Sequence, residues 1–193
     1  CQDRVVGDDG FHLLERRLLE VDVLGDGFDD ELRVRRRRLQ VRGRRNPIER
    51  RLLLRESPNI INYVNPKQVI DLGCGNMEKT QILIHETLKY RNHLSFVPCD
   101  IDANAIMSGV EKLNFFYNSA IEWHPLHGEF EDCVTWLSEH VTPRLFTFLG
   151  ITYGNMTTEE RKQLLQCLHN KMKTSDYLLL AVDLVKERHL MEG

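Results

Sequence analysis

No apolar run in this 193-residue chain approaches the roughly 20 residues needed to cross a bilayer, and its first residues lack the basic, apolar and small-residue succession of a signal peptide. A cytoplasmic protein without membrane contact is expected. The five cysteines, Cys1, Cys74, Cys99, Cys133 and Cys167, are odd in number and widely spaced, and no Cys-x-x-Cys or Cys/His cluster occurs. Neither a disulfide framework nor a metal site is indicated, and reduced, packed thiols are expected. The histidines show no Ser/His/Asp or metal-ligand spacing either; the one close pair, His124-Pro125-Leu126-His127, spans a proline and reads as a loop.

Lysine is absent from residues 1–55, which hold 14 arginines against 11 carboxylates. Residues 56–193 hold 8 lysines and only 4 arginines against 18 carboxylates, so the net charge changes sign at the junction. Two parts are expected, an Arg-rich N-terminal segment over 1–55 and a core domain over 56–193. The basic run of Arg33, Arg35 to Arg38, Arg42, Arg44 and Arg45 has none of the interleaved aromatic groups on which nucleic-acid platforms stack bases. It reads as a solvated segment rather than a nucleic-acid arm.

What is present from Val69 onward is an alternation of short apolar runs rich in β-branched residues with amphipathic stretches, the pattern of βαβ units around a parallel sheet. The strands are expected at Gln68 to Leu72, Leu94 to Cys99, about Ala120 to Trp123, Leu145 to Leu149, and Tyr177 to Val182. Asp102 is placed to cap a helix whose buried stripe is Ile106, Val110 and Leu113. Thr157 and Glu160 are spaced as a capping box, ahead of a helix with Leu164, Leu165, Leu168 and Met172 on one face. The final strand is apolar without alternation, so both its faces should be covered; a partner, or a segment beyond this chain, is expected against 177–182.

Gly73-Cys74-Gly75 falls directly after a strand and before a helix, where glycines allow a sharp turn and a close approach of backbone N–H groups to a ligand. The next strand ends in Cys99-Asp100-Ile101-Asp102, and a carboxylate there can accept from both hydroxyls of a ribose. A dinucleotide site needs a third glycine at position 78, where this chain has Glu, whose charge would repel a pyrophosphate. A cationic adenosyl sulfonium carries no phosphate and tolerates Asp71 and Glu78 nearby. Asn155 follows the fourth expected strand, at the sheet edge where ligands bind in open α/β folds. Its neutral amide can accept from an amine without stabilising the protonated form as a carboxylate would.

Val69-Ile70-Asp71-Leu72-Gly73-Cys74-Gly75 resembles the first motif of class I S-adenosylmethionine-dependent methyltransferases, and Phe96-Val97-Pro98-Cys99-Asp100-Ile101 resembles the second. Phe148 to Thr157, then Glu159-Glu160-Arg161, and Leu178 to Leu180 through Asp183-Leu184-Val185-Lys186, are similar to the histidine-specific methyltransferases of ergothioneine biosynthesis, over about residues 57–187. The resemblance implies a Rossmann-like, doubly wound, mostly parallel α/β fold that stops short at its C-terminus. It implies S-adenosylmethionine as cofactor, held by Asp71, Gly73, Cys74, Gly75, Asp100 and Ile101, with Lys79 on its carboxylate.

Glu129-Phe130 resembles the family's adenine-holding Asp-Phe pair, with Glu one methylene longer. Asn155 matches the family's substrate-orienting asparagine and is the catalytic candidate, with Tyr153 beside it at a position where the family usually has Ile. The implied partner is a small amino acid, histidine first, methylated on its α-amino group. The alternative is a catalytically silent cofactor-binding fragment or scaffold, since the family's substrate lobe is not recognisable here.

Overall fold

Pro47, with its preset φ and missing N–H, suits the first turn of a helix, and it opens the 18-residue α1 (Pro47–Val64). The structure is a computed structural model that describes residues 47–181 except Glu139 and Ile151. The Arg run, Cys1, Val182 and Asp183 to Lys186 lie outside the described residues. The composition break expected to separate two parts, at Arg55-Glu56, falls inside α1. Arginine is a good helix former, and Arg50, Arg51 and Arg55 lie on the exposed face while Leu53, Ile61 and Val64 are buried. The described arginines of the first part therefore lie on a solvent face, and the backbone runs through the junction unbroken.

After α1 the chain alternates as the apolar runs require: β1 (Gln68–Leu72), α2 (Thr80–Leu88), β2 (Leu94–Asp100), α3 (Ala103–Tyr117), a 3-10 turn (Asn118–Ala120), β3 (Ile121–Trp123), β4 (Leu126–His127), α4 (Phe130–Trp136), β5 (Arg144–Phe148), α5 (Thr152–Asn155), α6 (Thr158–Lys171) and β6 (Tyr177–Leu180). The strands lie in the order β3-β2-β1-β5-β6, every pair parallel. β4 also pairs with β2, through Cys99↔Leu126 and Asp100↔His127. The loop expected at His124 to His127 is thus only half a loop. Pro125 has no N–H to give a ladder, so the edge strand breaks there and resumes with Leu126. The other strand ends differ from expectation by a residue or two, where buried Arg144 and half-buried Asp100 extend the ladders past the apolar runs.

Successive residues of the central strands feed two cores. Val69, Leu145 and Phe96 face a layer containing α1, α2 and α3, with Ile61, Leu83 and Leu113 among its buried members. Ile70, Phe146 and Val97 face α4 and α6, against Val134, Leu164 and Leu168. Apolar residues on both faces are what a parallel sheet covered by helices demands, so the runs do not alternate with polar residues. The doubly wound α/β reading therefore holds. No helix among the described residues is long and apolar enough to cross a membrane.

The expected caps form. The Asp102 carboxylate accepts from the N–H groups of Asn104 and Ala105. Thr157 and Glu160 close their box in both directions. Leu164 and Leu168 are buried, whereas Leu165 and Met172 are only partly so.

Two further contacts hold elements in place. Gly109 of α3 packs on the fully buried Met77, whose sulfur would lie 2.7 Å from a Cβ added at that glycine. Arg144 is fully buried: its Nε and Nη2 donate to Asp176 Oδ2 at 2.9 and 2.6 Å, and its remaining donors reach the carbonyls of Ser138 and Lys171. β6 is the edge strand of the described sheet, with Leu178 buried and Tyr177, Leu179 and Leu180 half-buried. Among the described residues, no strand pairs with its outer edge.

Candidate functional site

The strand order reverses between β1 and β5, so the connections leaving those two strands diverge to opposite faces and open a crevice at their carboxyl ends. Gly73 to Gly75 line it from β1, Leu149 and Gly150 from β5, and Asn76, Glu78, Lys79 and Thr80 from the start of α2. The cavity measures about 240 Å³. Gly73 and Gly75 have φ of 72° and 47°, the left-handed region that favours glycine. A Cβ at Gly75 would meet nothing within 4 Å, so conformation rather than space requires the glycine there.

The turn is tied to the end of β2. Gly73 and Cys74 donate their N–H groups to Cys99 O at 2.8 and 3.0 Å, and Gly75 N–H donates to Asp100 Oδ2 at 2.8 Å. Asp100 Oδ1 accepts from Asp102 N–H at 3.0 Å, and its backbone carbonyl from Gly128 N–H at 3.1 Å. Asp100 is therefore held rigidly between the glycine turn and the loop leading to Glu129. Gly73 and Gly75 line the cavity, and Asp100 is bonded to the second of them.

Beneath the turn lies Asp71, 2% exposed. The hydroxyl of Thr80 donates to its Oδ2 and that of Thr147 to its Oδ1, the latter at 2.7 Å. Burial still pushes its carboxyl up to about 6, against the lowering effect of the two hydroxyls and of Lys79. Cys74 lines the crevice, and burial, with Asp71 and Asp100 beside it, pushes its thiol up, so it stays neutral. Cys99 and Cys133 share a hydrogen bond that raises the first and lowers the second. The thiols of Cys74, Cys99, Cys133 and Cys167 are free, and no group suited to a metal occurs among the described residues.

Lys79 lines the crevice with its charge already paired. Its Nζ donates to Glu49 Oε2 at 2.5 Å, across to the first turn of α1, and would lie 2.9 Å from a Cβ at Gly150, whose φ is 109°. Ile101 is 62% exposed, an apolar side chain in the open directly after Asp100. Glu129 is exposed at the N-terminus of α4 and makes no capping hydrogen bond with its side chain. Phe130 stacks edge-on against Phe148 at 5.0 Å between centroids, and Phe148 against Tyr153 at 5.8 Å. Tyr153 is thus half-buried against the core cluster that holds Phe148, with Arg161 5.8 Å above its ring. Asn155 ends the one-turn helix α5 and is exposed, outside the lining of the cavity.

Five of the expected site residues, Asp71, Gly73, Cys74, Gly75 and Lys79, line one cavity; Asp100 is bonded to Gly75 of its lining, and Ile101, Glu129, Phe130, Tyr153 and Asn155 are outside that lining. Glu49, Thr80, Thr147 and Gly150 are additions. Gly150 was detectable as a glycine directly after the strand expected at Leu145 to Leu149; it stands two residues past the end of β5. Glu49 carried no local signal, since its partner is 30 residues away.

A sequence profile described as histidine-specific methyltransferase, SAM-dependent, matches residues 46–193. The chain is 35% identical over 140 residues to the histidine N-alpha-methyltransferase of Mycobacterium tuberculosis, covering 72% of this chain and 43% of that enzyme. It is 27% identical over 153 residues to the 4-dimethylallyltryptophan N-methyltransferase easF of Claviceps purpurea, covering 74% and 44%. The chain thus spans less than half the length of these relatives. The SAH-bound methyltransferase PaMTH1 of Podospora anserina shares the fold, with a TM-score of 0.51 at 11% identity over 93% of this chain and 73% of that one.

Proposed function

Because the chain belongs to the histidine-specific, S-adenosylmethionine-dependent methyltransferase family, we propose that its crevice holds S-adenosylmethionine for N-methylation of an amino acid's α-amino group in the cytoplasm, with histidine the first candidate. One observation carries this reading: Gly73, Gly75, Lys79 and Gly150 line a single cavity at the reversal of the strand order, with Asp100 fastened to its rim. The residues present suit the ligand. The acids Asp71, Glu78 and Asp100 favour a cation, and the cavity has room for an amino-acid end while exposed Ile101 offers an apolar rest for a base outside it. When bound, S-adenosylmethionine supplies an electrophilic methyl group on a cationic sulfur.

The chain's own part is orientation. Asp100, fixed by two backbone N–H groups, keeps lone pairs for ribose hydroxyls. Glu129 is free to swing toward an exocyclic amine, and Asn155 presents a neutral amide that can accept from the substrate's amine while leaving it unprotonated. Holding donor and acceptor in line is the larger share of such catalysis. Calorimetric titration with S-adenosylhomocysteine, followed by mass spectrometry of histidine incubated with S-adenosylmethionine and the protein, tests both halves. Saturable heat and a mass gain in 14 Da steps, about one methylene per transfer, are expected. No heat at millimolar ligand overturns the reading.

A second reading, donor binding without transfer, draws on the exposure of Asn155 away from the cavity. It predicts saturable heat with no methylated histidine.

A further inference from the structure

Lys79 approaches the crevice already paired. Its Nζ is 2.5 Å from Glu49 Oε2, and the Glu49 side chain is only 11% exposed where the start of α1 meets the start of α2. Gly150 closes the other side, because a side chain there would collide with the Lys79 ammonium at 2.9 Å. Lys79 lines the cavity and Glu49 stands directly behind it; a carboxylate and an ammonium fixed at this separation are the mirror image of a zwitterionic amino acid, whose own ammonium and carboxylate lie about 3 Å apart. A ligand carboxylate that reaches Lys79 Nζ brings its α-ammonium close to the same Glu49 oxygens, and the four charges alternate around a square. Such charge-assisted pairs in a partly desolvated site are the stronger hydrogen bonds.

We infer that Glu49 is a specificity-determining residue, which together with Lys79 recognises the aminoacyl end of the methyl donor and sets the crevice against adenosyl ligands that lack it. This rests on the donor-binding reading above and assigns the ligand's ammonium to a residue outside the glycine turn. The ion pair also neutralises Lys79 in the free protein, so a ligand bearing only a carboxylate competes with Glu49, whereas a zwitterion satisfies both partners.

The test compares two ligands on the full chain and on Glu49→Gln: S-adenosylhomocysteine, which has the aminoacyl end, and 5′-methylthioadenosine, which lacks it. Loss of a charge-assisted hydrogen bond is expected to weaken S-adenosylhomocysteine roughly 10- to 100-fold, with 5′-methylthioadenosine unchanged, and Glu49→Asp should recover part of the loss. Lys79→Met should show the same ligand selectivity. A parallel fall of both ligands in Glu49→Gln, or no change in either while the unaltered chain binds S-adenosylhomocysteine, overturns the assignment and leaves donor binding intact. If the unaltered chain binds neither ligand, the donor reading fails, and this assignment with it. Thermal melts of each variant show whether a loss of affinity is a loss of fold.

Discussion

Asp71 sits wholly buried beneath the glycine turn, and its carboxyl titrates near 6 because burial outweighs the hydroxyls of Thr80 and Thr147. The folded value lies above the ordinary 3.8, so the native state holds the proton more tightly than the unfolded chain does. The stability this group contributes is therefore present below about pH 4 and is lost as pH rises to about 6, with a magnitude of about 3 kcal/mol. Denaturant midpoints measured from pH 4 to pH 7 should fall through that window, and Asp71→Asn should flatten the fall. The same titration bears on binding. Above about 6 the carboxylate is charged and favours a sulfonium over a thioether, so the affinity for S-adenosylmethionine relative to S-adenosylhomocysteine should rise with pH across that point and stay level in Asp71→Asn. A ratio that is level in the unaltered chain would sink the electrostatic role. The position of Asp71 ahead of the glycines was legible in the sequence. Its two threonine partners were not, because Thr147 comes from a strand 76 residues away.

Among the elements, those whose signals are local were legible and those fixed by distant partners were not. The caps at Asp102 and Thr157 lie within three residues of the groups they satisfy, and the strands announce themselves as apolar runs. Arg144 looks like a solvated charge in the sequence, yet it is fully buried on β5 against Asp176, in the turn that leads into β6. That pair joins β5, β6 and the end of α6, since Arg144 also reaches Lys171 O at 2.7 Å. Removing one partner leaves a buried charge uncompensated, so Asp176→Ala should cost about 3–5 kcal/mol in urea unfolding. Arg144→Met combined with Asp176→Leu should restore much of that, because an apolar pair of similar volume has no charge to desolvate. A double variant no more stable than Asp176→Ala would mean that the carbonyl contacts of Arg144, and not the ion pair, hold these elements.

At the scale of the whole molecule, two helix layers with separate apolar clusters enclose one sheet, and the crevice opens where their connections part. The sequence made the sheet and its glycine turn legible through periodicity. It could not show that α1 runs back over α2 to set Glu49 against Lys79, because an ion pair between two helices has no period and because the arginines of α1 change the composition there. The crevice draws its walls from the ends of β1 and β5 and the start of α2, with α1 tied to it through the Glu49–Lys79 pair, so a ligand that occupies it ties together segments that otherwise meet mainly through the sheet. Such a ligand binds the folded state and not the unfolded chain, and it should raise stability by about 2.7 kcal/mol at a concentration 100-fold above its dissociation constant. For a domain of this size that corresponds to a rise of roughly 8 °C in the melting midpoint. S-adenosylhomocysteine should produce that rise in the unaltered chain and a smaller one at the same concentration in Glu49→Gln, read by scanning fluorimetry across a concentration series. A midpoint that stays put while calorimetry reports saturable binding would mean that the ligand sits somewhere other than the folded crevice.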